Sequence, residues 1–390
     1  MAEEARLELP FGAGEYRARV EGARAEMARR GIDLLLLTVP ESTFYLTGFE
    51  TGTVFAFLVL ALPQKGEAMW VVRKTELSNV RALARQSLVT DARGADDAED
   101  PILALADVVR AMGFANAAIG IECRGFFFTI DHYAQLQKAL PHAEWRDGSA
   151  VIEGLRAIKS AAELAYMRKA GAITSAAMRE AIFALKPGMR DHELASNLFA
   201  AALRHGSEPM SLGPFVTTGA RTFLAHSSWT GRAIAAGEVV NTEMACVAAR
   251  YNAPIFRVSS IGEPPAEIAR MHDASRAALE AGLANIGPGM TSGEADRVVR
   301  AAIAARGYGE LFVVRAAYGI GLGFPPRWSE SNVMAIRAND PRILQPGMCF
   351  HLVPALYKQG VGAVCASMPI EITANGCAPL ATIEPELFRV

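Results

Sequence analysis

A three-residue phrase that returns constrains this chain more than any other feature. Pro187-Gly188-Met189 recurs as Pro288-Gly289-Met290, 101 residues further on. Each copy follows a helical stretch, precedes a glutamate (Glu193, Glu294) and introduces a second helix that ends at a glycine (Gly206, Gly307). Strand-rich sequence with glycine turns follows each. Leu164, Met167, Ile173, Met178 and Ile182 recur at helical spacing and predict a long helix over 160–185, with the next starting near Asp191. The later copy predicts helices over 265–285 and 293–306, the second capped by Ser292. Two helix–helix–sheet halves about a pseudo-twofold axis are the expectation. A two-half sheet covered by helices on one face leaves the other face as a concave floor. A site between the halves follows.

Upstream, strand and helix signals alternate. The spacing of Ala, Val and Met predicts a helix over 15–30, followed by a strand over 33–38. Strands over 55–62 and 69–72 flank the turn Pro63-Gln64-Lys65-Gly66, and an amphipathic helix over 102–112 leads to a strand over 118–121. This alternation predicts a separate α/β domain. A chain of 390 residues exceeds one ordinary core, so the expected division is 1–155 and 156–390, and the class is α+β overall.

Charge narrows the function classes. Lys plus Arg number 39 against 41 for Asp plus Glu, so no broad electrostatic field favours nucleic acid or anionic membrane. The apolar runs 34–37 and 54–62 fall far short of the roughly 20 residues that span a bilayer. The acidic start Met1–Arg6 is followed by no apolar run and does not read as a signal peptide. Cys123, Cys246, Cys349, Cys365 and Cys377 are odd in number, widely spread and without a Cys-x-x-Cys pair, which predicts reduced thiols in a cytoplasmic protein.

At this point the chain resembles the creatinase, prolidase and aminopeptidase P family over nearly its whole length. Tyr45-Leu46-Thr47-Gly48-Phe49 resembles the signature of that family's amino-terminal domain, and Leu155-Arg156-Ala157-Ile158-Lys159-Ser160 with Glu163 resembles its domain junction. His226, Gly237-Glu238, Tyr318-Gly319-Ile320-Gly321 and Gln345-Pro346-Gly347-Met348 resemble its catalytic domain, in order and at the right spacing. The resemblance implies a creatinase-like amino-terminal domain followed by a pita-bread catalytic domain with an internal pseudo-twofold repeat. It also implies a homodimer in which the amino-terminal domain of one subunit reaches the other's site, with Tyr45, Phe49 and Glu50 as candidates.

The family's peptidases hold two divalent metals with two Asp, one His and two Glu, because hard cations need oxygen-rich shells. Here the matching positions carry Glu243, Pro254, Tyr318, Val353 and either Ser367 or Met368. One carboxylate cannot assemble a dinuclear site, so neither metal nor another cofactor is expected. The metal-independent members, creatinase and ectoine hydrolase, are more similar. Glu243-Met244-Ala245, Ala249-Arg250-Tyr251, Arg257, Arg315, Pro325-Pro326, Trp328, Glu330 and Phe350-His351 carry the likeness to the second. Asn252 stands where that enzyme is expected to have His, and Gly362 to Met368 lack its acidic residues. A pocket short of negative charge suits a less cationic substrate.

The candidate catalytic residues are His226, Glu243 and Tyr318. His226 would carry protons near neutral pH, as the matching His does in creatinase, or hold a backbone carbonyl. Glu243 shares a strand face with Asn241 and Ala245. It would serve as nucleophile, general base or anchor for a substrate cation, or else pair with Arg250 or Arg257. Tyr318 would donate to a substrate oxygen or pack in the core. The candidate substrate-binding residues are His351, Arg327, Trp229, Asn252, Arg257, Tyr45 and Phe49. Arg327 would hold a substrate carboxylate, with Arg257 and Arg315 as alternatives, and Trp229 or Trp328 would wall the pocket. The expected function is metal-independent hydrolysis of a C–N bond in a small polar nitrogen compound such as a cyclic amidine, a guanidino acid or an amide. A non-catalytic binding protein and a metal-free lyase or isomerase are the alternatives.

Overall fold

The computed structural model describes residues 9–53, 56–83, 89 and 91–390. The chain divides into two compact units, Met1–Arg156 and Ala157–Val390. The sequence expectation for Phe55 lies outside the described residues.

In the first unit helix α1 (Ala13–Arg30) leads into β1 (Leu34–Leu37), whose four leucines are all buried. Then come α2 (Pro40–Thr47), β2 (Leu58–Pro63), β3 (Met69–Arg73), α3 (Leu77–Leu83), β4 (Asp91–Ala95), α4 (Pro101–Ala111), β5 (Ala118–Ile121), α5 (Ile130–Ala139), β6 (Glu144–Asp147) and α6 (Ser149–Arg156). One sheet in the order β4-β3-β2-β1-β5-β6 collects all six strands. The β2–β3 pair is antiparallel across a short turn, β1–β2 is antiparallel with α2 between the strands, and β3–β4, β1–β5 and β5–β6 are parallel, each reached through helical connections.

The second unit opens with α7 (Ala161–Phe183), held at its start by a capping box between Ser160 and Glu163. Next are α8 (Asp191–Arg204), β7 (Phe215–Thr218), β8 (Val239–Ala248) and β9 (Tyr251–Ser260). A second pair, α9 (Ala266–Asn285) and α10 (Ser292–Ala304), precedes β10 (Ala317–Gly319), β11 (Ala335–Ile336) and β12 (Cys349–Leu352). After these come β13 (Leu356–Lys358), β14 (Gly362–Val364), β15 (Met368–Ile372), β16 (Cys377–Pro379) and β17 (Phe388–Arg389). One sheet runs β17-β9-β8-β7, another β11-β10-β12-β15-β16, and β13–β14 form a hairpin. A single apolar cluster, from Ile173 to Phe388, packs the four helices onto these sheets.

The recurring phrase is structurally equivalent in its two copies. Gly188 and Gly289 both have φ +85°. Gly188 donates to Ile234 O at 2.8 Å and Gly289 to Leu344 O at 2.9 Å, while Ile234 and Leu344 donate back to Met189 O and Met290 O. Glu193 and Glu294 each accept from the backbone N–H of their helix's cap residue. The duplication therefore extends to individual hydrogen bonds. The cap of α10 corrects the sequence reading: Thr291, not Ser292, accepts from Glu294 N. Ser292 occupies the first helical turn, where its hydroxyl is buried and donates to Ala335 O of β11.

Candidate active site

The two sheets of the second unit enclose a cavity of about 670 Å³. Register decides what faces it. Across the first sheet Phe215 of β7, Glu243 of β8 and Phe256 of β9 pair in one row, and directly paired residues share a sheet face. All three line the cavity, together with Asn241 two positions before Glu243. Ala245, two positions after, is buried and does not line it. Glu243 is the one position of β8 that is not fully buried. The other sheet supplies Tyr318 of β10 and Val353 just after β12, while the β14 hairpin adds Ala363 and Val364.

Glu243 pairs with neither Arg250 nor Arg257. Arg250 donates to Pro209 O, Gly323 O and Ser211. Arg257 is fully buried and spends its guanidinium on the carbonyls of Phe256, Ser367, Ile383 and Glu384. The Glu243 carboxyl instead neighbours the Tyr318 phenol and lies 4.0 Å from His351 Nδ1. Burial pushes it up to about 7, against the lowering effect of the phenol.

Tyr318 is fixed from several sides. It pairs directly with His351 across β10 and β12, and the two rings meet edge to face at 5.1 Å. Trp328 Nε1 donates to the phenol oxygen at 3.0 Å, and His351 Nδ1 lies 2.7 Å from it. His351 Nε2 lies 2.7 Å from Ser367 Oγ, which itself accepts from Phe256 N at 2.8 Å. Ser367 Oγ also lies 3.5 Å from Phe256 O, so its hydrogen has a backbone acceptor as well as the imidazole. The phenol oxygen accepts the indole N–H, and its own hydrogen faces His351 Nδ1 and the Glu243 carboxyl. Burial and the charge of Arg257 hold His351 down to about 3, so the ring is neutral.

His226 also lines the cavity, exposed, on the loop before β8. Its φ is 55°, in the left-handed region that non-glycine residues seldom occupy. Arg221 braces this loop through Ser227 Oγ at 2.7 Å and Ser228 O at 3.2 Å. The three candidate catalytic residues thus come together around one space.

Most candidate binding residues do not. His351 is buried beneath Tyr318, with Nδ1 2.7 Å from the phenol oxygen and 4.0 Å from a Glu243 oxygen. Asn252 is buried and donates to Arg250 O, and Arg257 braces backbone. Trp229 is exposed and outside the cavity lining; Arg327, half-buried, also lies outside it and donates to Asn332 at 3.4 Å in the loop after the cis Pro325-Pro326 bond. Tyr45 and Phe49 are buried within the first unit, Tyr45 beneath the Arg19 guanidinium and Phe49 against Trp70. The residues that sequence reasoning passed over are mainly the apolar walls, Phe215, Phe223 and Phe256. Alternation along β9 points to Phe256; the other two needed register and loop path.

A model of metallopeptidase family M24 matches residues 165–374, and one of the creatinase/prolidase amino-terminal domain matches 19–158. The chain belongs to metallopeptidase family M24. Ectoine hydrolase of Halomonas elongata is 29% identical over 98% of this chain and 99% of its own length. A Xaa-Pro dipeptidase of Lactobacillus delbrueckii is 27% identical over 93% and 96%. Among solved structures, dipeptidase PepE of Mycobacterium ulcerans superimposes with TM-score 0.83 at 26% identity, over 97% of this chain and 99% of that one. A prolidase of Thermococcus sibiricus shares the fold at TM-score 0.87 and 22% identity, over 96% and 99%. The creatinase-like domain and the pita-bread domain expected from the sequence are therefore those of this family.

Within this M24 member, the positions where the family's peptidases keep metal ligands hold a different chemistry. Glu243, Tyr318 and Val353 line the cavity. Pro254 pairs with Ala245 and offers no donor. Of the two candidates for the last position, Ser367 bonds His351 and Met368 joins the apolar core, and neither lines the cavity. One carboxylate, one phenol and one hydroxyl do not fit a pair of divalent cations. Among the described residues no group of three or more His, Cys, Asp or Glu is placed to hold a metal ion. No described helix is long and apolar enough to cross a membrane.

Proposed function

We propose that this protein hydrolyses a C–N bond of a small nitrogen compound without metal, with Glu243 as general base and then general acid. The observation that carries the reading is a cavity-facing carboxyl poised at about 7 and held by a phenol where the family's peptidases hold cations. A carboxyl near the working pH both takes and returns a proton efficiently. Glu243 takes a proton from water as the hydroxide adds to the carbon of the C–N bond. The same carboxyl then gives its proton to the nitrogen as that bond breaks, leaving a carbonyl product and a free amine. Tyr318 keeps its proton throughout and orients the carboxylate. His226, which lines the cavity, supplies an N–H group to the charge that develops on the tetrahedral centre. Similarity to ectoine hydrolase supports a small nitrogen compound as substrate.

The test is turnover of a panel of cyclic amidines, guanidino acids and amides by chelator-treated protein in ¹⁸O-labelled water. Label in the carbonyl product with undiminished rate is expected. Activity lost to chelator and restored by manganese or cobalt overturns the reading, and unlabelled product assigns a lyase or isomerase instead. The homodimer belongs to the same proposal, and sedimentation at twice the mass of one chain is its expected result.

A further inference from the structure

The cavity is larger and more apolar than a small polar compound requires. Its volume of about 670 Å³ lies within the roughly 300–1,000 Å³ of sites that enclose drug-sized ligands. Phe215, Phe223, Leu224, Phe256, Val313 and Val353 form most of its walls. Leu224 and Val313 are 47% and 75% exposed while lining it. Large apolar side chains gathered in water at the edge of a site mark a surface that a partner molecule covers.

Charge adds a second, independent observation. Glu243 is the one carboxylate, and Arg315 the one arginine or lysine, among the described lining residues. Arg315 is exposed, its guanidinium lies 5.4 Å over the Tyr318 ring, and no described carboxylate pairs with it. A guanidinium at a site lined otherwise by apolar and neutral groups selects an anion.

We propose that the substrate is an amphiphilic anion. An aryl or branched-alkyl body lies on the phenylalanine and valine walls, a carboxylate or equivalent anion meets Arg315, and the scissile C–N bond sits over Glu243. Only the position of the bond rests on the hydrolase reading; the seating of body and anion is a matter of binding alone.

Isothermal titration with butyrate, 4-phenylbutyrate and 4-phenylbutan-1-ol separates the two parts. None of these probes contains a C–N bond. The expected result is 4-phenylbutyrate binding at least ten-fold more tightly than either of the others. Arg315→Gln should abolish its advantage over the alcohol while leaving the alcohol's affinity unchanged, which also shows that the variant is folded. Equal affinities, no binding of any probe, or an advantage that survives Arg315→Gln overturns the proposal. Protein that shows the expected pattern but hydrolyses no C–N compound upholds this inference and removes the hydrolase reading. Protein that hydrolyses a small polar compound without the pattern does the reverse.

Discussion

The phenol oxygen of Tyr318 lies 2.7 Å from Nδ1 of His351, and that ring is held in turn by Ser367 Oγ, 2.7 Å from Nε2. A buried neutral histidine, far from being a ligand for substrate, serves as the rest on which the tyrosine is oriented.

Removing the phenol hydroxyl tests that orientation. The Tyr318 phenol lowers the Glu243 carboxyl while burial raises it. Tyr318→Phe therefore leaves burial unopposed, and the carboxyl rises further above its present value of about 7. The limb of kcat/KM that rises as Glu243 deprotonates should move to higher pH, with activity at pH 7 falling about 10- to 100-fold. A pH–rate profile of the variant checks this; an unmoved limb contradicts it.

Glu243 trades stability for function. Its carboxyl has an ordinary value of 4.5 and a folded value of about 7. Between these values the folded chain holds a proton that the unfolded chain has released. Stability contributed at low pH is therefore lost as pH rises through that window. Glu243→Gln should abolish activity by about 10²–10⁴-fold and make the protein more stable above pH 7 by about 1–3 kcal/mol. Denaturant melts of both proteins at pH 5 and pH 8 check the sign: the gain should be present at pH 8 and small at pH 5.

Ser367 acts at one remove. Ser367→Ala leaves His351 Nε2 and the Phe256 N–H without their partner in a buried setting, at a cost of about 1–3 kcal/mol. A merely structural role would end there. Loss of the hydroxyl that holds the His351 ring against the Tyr318 phenol should also shift the Glu243 limb of the pH–rate profile upward, as Tyr318→Phe does.

The duplicated turns give a prediction independent of the site. Gly188 and Gly289 share φ +85° and neither has an atom within 4 Å of where a Cβ would stand. Replacement by alanine thus incurs only the conformational penalty, about 1–2 kcal/mol. Gly188→Ala and Gly289→Ala should destabilise by equal amounts in chemical denaturation; clearly unequal losses would show that the two turns are not equivalent.

Local pattern carried much of this molecule. Helical spacing marked α7 and α9, and the repeated Pro-Gly-Met announced two equivalent halves, because turn chemistry is written in neighbouring residues. Alternation along β8 put Asn241 and Glu243 on one face, and the family resemblance led to the expectation that Glu243, Pro254, Tyr318 and Val353 make a poor shell for cations. Other assignments failed for one reason. Arg257 and Asn252 looked like binding groups, yet their side chains brace backbone carbonyls, and nothing in the neighbouring sequence reveals which carbonyls lie near. Tertiary structure alone decided that Phe215 and Phe256 flank Glu243, that Ser367 stands behind His351, and that Arg315 faces the cavity. Those are strand-register and long-range contacts between residues 13 to more than 100 positions apart, and periodicity does not encode them.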